Sequence, residues 1–138
     1  MALMRPALLV LLSSLCAGAP GCGGGSPAEA VVSCTLTDTG TGNPPATLMV
    51  CHETLGVSPV QAEAIRQACM VPPESRAAGS TVEERFENGP CSRLRALGGC
   101  SDGSGSLVVT TWYYDGSGQT SDDVRMRCQK LGQTFITP

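Results

Sequence analysis

Cysteine content constrains this chain more than any other feature. Eight of its 138 residues are cysteine, and no two of them have the C-x-x-C spacing of zinc knuckles or thioredoxin-like redox centres. Six follow the N-terminal region and are spread along the rest of the chain: Cys34, Cys51, Cys69, Cys91, Cys100 and Cys128. An even number of dispersed cysteines in a small exported domain predicts a framework of three disulfides.

The remaining composition explains why such a framework is needed. Aromatic residues make up 4% of the chain and charged residues 15%, so we expect one small domain with a thin packed core. Each disulfide stabilises a fold by roughly 2 to 4 kcal/mol, because it restricts the unfolded chain. The formal net charge of −3 argues against a surface for polyanions, and we expect no nucleic acid partner.

The N-terminal segment predicts export. Arg5 supplies a positive charge, and Pro6 to Leu15 form an apolar run much shorter than the ~20 residues that span a bilayer permanently. Two cleavage sites compete. Cleavage after Ala17-Gly18-Ala19 follows the small-x-small pattern, but it places Pro20 after the cut and leaves seven cysteines. Cleavage before Cys22 makes that residue the new N-terminus and leaves six further cysteines, which is an even number.

The segment Ala19-Pro20-Gly21-Cys22 resembles the lipobox of bacterial lipoproteins. This resemblance implies that residues 1–21 are a signal peptide and that Cys22 carries acyl chains such as palmitate. Residues 22–29, rich in Gly, Ser and Pro, would then form a flexible tether between the membrane and the domain. Two or more acyl chains attach a protein stably, whereas one chain binds only marginally. Because Gly23 follows the cysteine, the family's sorting rule implies the outer membrane of the cell envelope.

Residues 30–138 are predicted to form a single α+β domain with a small antiparallel sheet and two short helices. Ala30 to Leu36 and Ala46 to Glu53 are rich in Val, Leu, Thr and Met. They flank a run of turn-forming residues at 38–45, and this arrangement predicts a hairpin.

A helix is expected directly after this hairpin. Ser58 has the side chain of a helix cap, Pro59 suits the first helical position, and Pro72 marks the end of the helix. Beyond it we expect a polar loop over residues 72–90, with a helical turn near 81–86.

The second half of the domain repeats this order of elements. The pattern predicts strands at 93–100 and 107–114, each followed by a turn, at 101–106 and 115–118. A helix at 121–131 and an edge strand at 133–137 complete this half. In the helix Ser121 is the expected cap, Val124, Cys128 and Leu131 form the apolar stripe, and Gly132 is the stop signal.

Two intervals, 48–69 and 107–128, match without gaps. Each runs from a leucine to a cysteine 21 positions later, and Val50, Ile65 and Arg66 match Val109, Val124 and Arg125. The match is explained either by an internal duplication or by chance. A duplication would place Cys69 and Cys128 at equivalent helix ends. Equivalent bridges would then be, for instance, Cys34 with Cys69 and Cys100 with Cys128, which leaves Cys51 with Cys91.

The residues suited to catalysis are few. His52 is the only histidine, no G-x-S-x-G motif is present, and the thiols are expected to be oxidised, so we expect neither an enzyme nor a cofactor. Carboxylates for glycosidase chemistry are available but are interpreted as solvated or oriented to a helix N-terminus: Glu53, Glu83, Glu84, Glu87, Asp122 and Asp123. The Asp-Gly-Ser-Gly runs at 102–105 and 115–118 lack the repeated acids of a calcium loop and predict tight turns rather than a metal site.

One aromatic cluster, Trp112-Tyr113-Tyr114, lies in the second predicted strand of this half. Alternation places Trp112 and Tyr114 on one face of the strand and Tyr113 on the other. An exposed face would suit stacking on a glycan or a partner protein, and Trp112 and Tyr114 are therefore candidate binding residues. With so few other aromatics, the alternative that they fill the core is favoured.

The mature part also resembles small cysteine-rich lipoproteins of Gram-negative bacteria, through Gly99-Cys100, Tyr113-Tyr114 and the helix residue Cys128. That group has no established activity to transfer. The expected function is therefore a noncatalytic envelope lipoprotein, held to the membrane by its lipid, that presents a binding or structural module to a protein or glycan partner. The alternatives are a soluble secreted inhibitor or ligand-binding protein and, less favoured, an envelope hydrolase.

Overall fold

The computed structural model describes residues 30–42, 44–70, 78–103 and 107–138. Within these ranges the chain forms six strands and two helices, in this order: β1 (Ala30–Thr39), β2 (Thr47–Val57), α1 (Pro59–Ala68), β3 (Thr81–Glu87), β4 (Ala96–Gly103), β5 (Val108–Tyr114), α2 (Ser121–Lys130) and β6 (Thr134–Ile136). The predicted signal peptide, Cys22 and the tether lie outside the described residues.

The strands form one antiparallel sheet with the order β3-β1-β2-β5-β4-β6. The prediction of an antiparallel sheet with two short helices and three disulfides is therefore confirmed. The sheet dominates the domain more than we expected, because it contains one strand that the sequence patterns did not predict.

That strand is β3, and the prediction of a loop with a helical turn at 81–86 was wrong. Val82, Glu84 and Phe86 are half-buried, whereas their neighbours in the strand are exposed, which is the period-two pattern of a strand. The strand pairs with β1 from Ser33 opposite Glu87 to Thr39 opposite Thr81. Pairing with an existing strand outweighs the weak local preference of this charged segment.

Both helices begin with a capping box. In α1 the Ser58 side chain accepts from the Gln61 backbone N–H, and the Gln61 side chain accepts from the Ser58 backbone N–H. Pro59 lies in the first turn, as predicted. In α2 the cap is Thr120, paired with Asp123, one residue before the predicted Ser121. Ser121 is instead the first helical residue.

Two further details of the second half differ from the predictions. Strand β4 begins at Ala96 and continues to Gly103, so the residues expected to start a turn at Ser101 belong to the strand. Leu131 is 61% exposed and does not continue the apolar stripe of α2, which buries only Val124 and Cys128. The positive φ of 69° at Gly132 closes this helix as predicted.

Three disulfides join Cys34 to Cys69, Cys51 to Cys91, and Cys100 to Cys128. These are the pairs that the internal match suggested. The first bridge ties the end of α1 to β1, and the third ties α2 to β4. The second fixes the 88–95 loop, which connects the two halves of the domain, to β2.

The two halves have the same plan in reverse spatial order. Each half runs strand, strand, helix, strand, and β2 and β5 meet at the centre of the sheet. One row of directly opposed residues, one from each strand, shows this symmetry. From one edge of the sheet to the other, the row contains Phe86, Cys34, His52, Thr111, Cys100 and Phe135. We call the face that carries this row the helix face, because its two cysteines bridge to Cys69 at the end of α1 and to Cys128 in the last turn of α2.

The opposite face is covered by the 88–95 loop, and we call it the loop face. Its core contains Cys51, Cys91, Trp112 and Tyr114, packed against Met49 and Ile136 among other residues. A second cluster on the helix face contains Cys100, Tyr113, Val124 and Cys128. Half of the buried residues in these two clusters are cystines, so disulfides supply part of the core, as the scarcity of aromatic residues predicts.

Candidate functional site

The two aromatic binding candidates lie beneath the 88–95 loop. Trp112 and Tyr114 are each 3% exposed, and the Arg93 guanidinium lies 3.7 Å from the centre of the indole ring. The Tyr114 hydroxyl donates to the Ser92 carbonyl at 2.6 Å, and burial raises the pKa of this phenol. Both side chains therefore hold the loop in place, and neither presents a ring face for stacking on a ligand.

Glu53 is the second anchor of this loop, a role that sequence reasoning missed. The carboxylate is 5% exposed and accepts from the Cys91 backbone N–H at 2.8 Å and from Arg93 at 3.0 Å. The guanidinium thus lies between the carboxylate and the face of Trp112. A buried charge with an ion-pair partner and a backbone donor is a structural arrangement, and it occupies the atoms that acid catalysis would need.

His52 lies at the centre of the helix face. Its Nδ1 shares a hydrogen bond of 2.9 Å with the Thr111 hydroxyl, the residue opposite it in the row, and burial lowers the pKa of the imidazole. A nucleophilic thiol is unavailable in the described domain, because its six cysteines are all bridged. His52 therefore has one hydroxyl partner and no reactive sulfur within this arrangement.

The described residues also contain no group of three or more His, Cys, Asp or Glu side chains placed to hold a metal ion. Of the two Asp-Gly-Ser-Gly runs, 115–118 forms the predicted turn, with positive φ at Gly116 and Gly118. The run at 102–105 begins within β4 and continues outside the described residues. In the portion of the chain that is described, no helix has the length and apolar character to cross a membrane.

No family model, curated protein or solved structure matches this chain. The site must therefore be identified from its own geometry. Several depressions in the described ranges lie around the edge strand β3 (Thr81–Glu87), and we call this region the β3 edge.

The β3 edge separates two depressions. On the loop face, a groove of about 720 Å³ is lined by residues of β3, Thr35, Thr37 and Met49, with Ser92 and Tyr114 at its far end. Between α1 and the sheet, two adjoining depressions of about 420 and 310 Å³ share Phe86 and Arg66 as lining residues. Volumes of this size are typical of binding sites.

The second depression exists because α1 packs loosely on the sheet. None of the residues of α1 is buried, whereas α2 buries Val124 and Cys128. Val60 at the start of α1 is 81% exposed. The bridge from Cys34 to Cys69 ties the end of the helix to β1, and a space remains between the helix and β1 and β3.

The equivalent residues in the other half close this space. Arg125 lies over Phe135 of β6, with its guanidinium 4.5 Å from the ring centre. Its counterpart Arg66 instead forms a bidentate pair with Glu63, at 2.8 and 2.9 Å, and Phe86 lines the open depressions. The difference between the halves therefore identifies the β3 edge as the candidate functional site.

This site is suited to binding rather than to covalent chemistry. The groove on the loop face is lined by carboxylates, hydroxyls and the Arg85 guanidinium, together with apolar groups such as Met49 and Val82. The depression beside α1 is lined mainly by apolar groups, with Glu63 and Arg66 among them. The sequence patterns did not identify it, because β3 was assigned to a loop and its neighbours Thr35 and Met49 are distant along the chain. Alternation of apolar residues at Val82 and Phe86 is the signal that could have revealed the strand.

Proposed function

We propose that this protein is an exported lipoprotein of the cell envelope, anchored through lipid on Cys22, that presents a noncatalytic binding module. Attachment follows from the resemblance of residues 19–22 to a lipobox, and residues 23–29 would form the tether. The binding surface is the β3 edge with its two flanking depressions.

The observation that carries this proposal is the complete pairing of the cysteines beyond Cys22. Disulfides persist in oxidising compartments such as the periplasm and the cell surface, and are rare in the reducing cytosol. A fold whose core is partly cystine supports export, and export supports interpretation of residues 1–21 as a signal. Two acyl chains on Cys22 would provide stable membrane attachment.

Metabolic labelling with an alkyne-bearing palmitate tests the anchor. We expect the label on the wild-type protein, on Cys16→Ser as a matched cysteine control, and not on Cys22→Ser. Intact mass of the mature protein should place a modified cysteine at its first position.

Label retained by Cys22→Ser contradicts the anchor. An unlabelled protein in the medium with a free amino group at Pro20 would indicate the soluble secreted alternative.

A further inference from the structure

The β3 edge is the longer of the two sheet edges in the described part of the chain. Among the described strands, β3 has seven residues and pairs with β1 alone, and β6 at the opposite edge has three. An edge strand presents a row of backbone donors and acceptors that another extended chain can pair with. Seven residues are enough for a short peptide strand.

Side chains of an added strand would alternate between two different environments. A residue directly opposite Phe86 would lie beside the apolar depressions next to α1, and a residue opposite Val82 would point to the same face of the sheet. Residues opposite Glu83 and Glu87 would lie on the loop face, beside the groove that these carboxylates line. Strand addition obtains its affinity from the backbone and its specificity from such alternating pockets.

Charge restricts which strand can be added. β3 carries three glutamates and one arginine, and Arg85 is already paired with Glu87 at 2.7 Å. A basic strand is attracted to this edge. A second copy of β3 carries the same net negative charge and is disfavoured for that reason. Paired antiparallel about its central residue, it would place Glu84 opposite Glu84 of the other copy, although Glu83 would then lie opposite Arg85.

We propose that the β3 edge binds an extended basic peptide segment, which adds to the sheet as a seventh strand with its alternate apolar side chains on the helix face. This inference names the partner chemistry of the proposed binding module and rests on that binding role, but it is independent of the lipid on Cys22. Failure of the labelling experiment would leave it intact, and its own failure would leave the anchor intact.

A synthetic peptide tests the proposal. The capped heptapeptide Lys-Val-Thr-Lys-Lys-Val-Thr, paired antiparallel, places its first lysine opposite Glu87, its fifth opposite Glu83, and its valines opposite Phe86 and Val82. It is titrated calorimetrically into the full exported protein in detergent. We expect saturable binding with one peptide per protein.

Two N-methylated isomers of the peptide separate strand pairing from simple charge attraction. One carries methyl groups on residues 2, 4 and 6, and the other on residues 3, 5 and 7. Both keep the same side chains, but only one blocks the N–H groups that face β3. We expect the two affinities to differ by about tenfold or more, because about three hydrogen bonds are lost in one isomer only.

Variants of the protein locate the site. Glu83→Lys should weaken binding roughly fivefold, whereas Asp102→Lys makes the same charge change at the exposed end of β4 and should have no effect. The proposal is overturned by any of four results: no binding of the unmethylated peptide, equal affinities of the two isomers, equal effects of the two variants, or self-association of the protein through β3.

Discussion

At the scale of single residues, Glu53 shows how this domain replaces apolar core with a charged contact. The carboxylate is surrounded by the backbone N–H of Cys91, the guanidinium of Arg93 and, beyond it, the indole of Trp112. Three components of the loop face are thereby connected around one side chain. The 88–95 loop has no regular secondary structure to hold it, so its position depends on this cluster and on the Cys51–Cys91 bridge.

Removal of Glu53 should therefore be costly. We expect Glu53→Ala to lower the free energy of unfolding by about 3 kcal/mol, because Arg93 and a buried N–H lose their partner. Urea denaturation followed by tryptophan fluorescence measures this change. Asp102→Ala, at an exposed position, should change stability by less than about 0.5 kcal/mol. A loss at position 53 as small as that of this control would contradict the assigned role.

His52 gives the domain a pH dependence of defined sign. Burial lowers the pKa of its imidazole in the folded state, so the unfolded chain binds a proton more readily. The resulting stability is present above the ordinary histidine pKa and is lost as the pH falls through the lowered value. We expect the melting temperature to decrease when the pH falls below about 6.5. His52→Gln should remove the decrease in this range, and a variant with the same profile as the wild type would refute the assignment.

At the scale of elements, the two helices differ in what holds them. Both are bridged to the sheet over similar sequence separations, 35 residues for Cys34–Cys69 and 28 for Cys100–Cys128. The entropic contribution of either bridge is roughly 3 to 4 kcal/mol in the loop-closure model. Packing differs, since α1 buries no residue and α2 buries two.

Paired double variants test this difference. In Cys34→Ala/Cys69→Ala we expect α1 to detach locally, so that its amides exchange rapidly with deuterium while the sheet and α2 remain protected. In Cys100→Ala/Cys128→Ala we expect a loss of protection across the whole second half, with a lower melting temperature. Identical exchange patterns in the two variants would contradict the unequal packing of the helices.

The elements predicted from sequence are those with a strong local signal. Ser58-Pro59 indicated the start of α1, and Gly132 indicated the end of α2. The turn-forming residues at 38–45 indicated the first hairpin. β3 escaped prediction because its charges interrupt the apolar alternation, and an edge strand needs little apolar surface. The β3 edge as a site was likewise hidden, because it depends on which strand pairs with β1 and on how closely α1 packs.

At the scale of the molecule, the stabilisation that the disulfides provide is similar in size to the net free energy of unfolding. Three bridges contribute together roughly 6 to 12 kcal/mol, and a small domain is stable by only about 5 to 15 kcal/mol in total. Reduction should therefore abolish the cooperative thermal transition and the near-ultraviolet circular dichroism of the buried aromatics. The native protein should show no thiol that reacts with iodoacetamide. A cooperative transition that survives the reductant would show that the apolar core suffices.

The approximate two-fold relation between the halves has a consequence for how such a chain changes over generations. His52 and Thr111, 59 positions apart in the chain, meet directly across the symmetry centre. The half containing α2 is the more closely packed and holds the architecture, whereas the half containing α1 is loosely packed and tolerates substitution. New specificities can then accumulate along one rim of the sheet while the opposite rim stays constant.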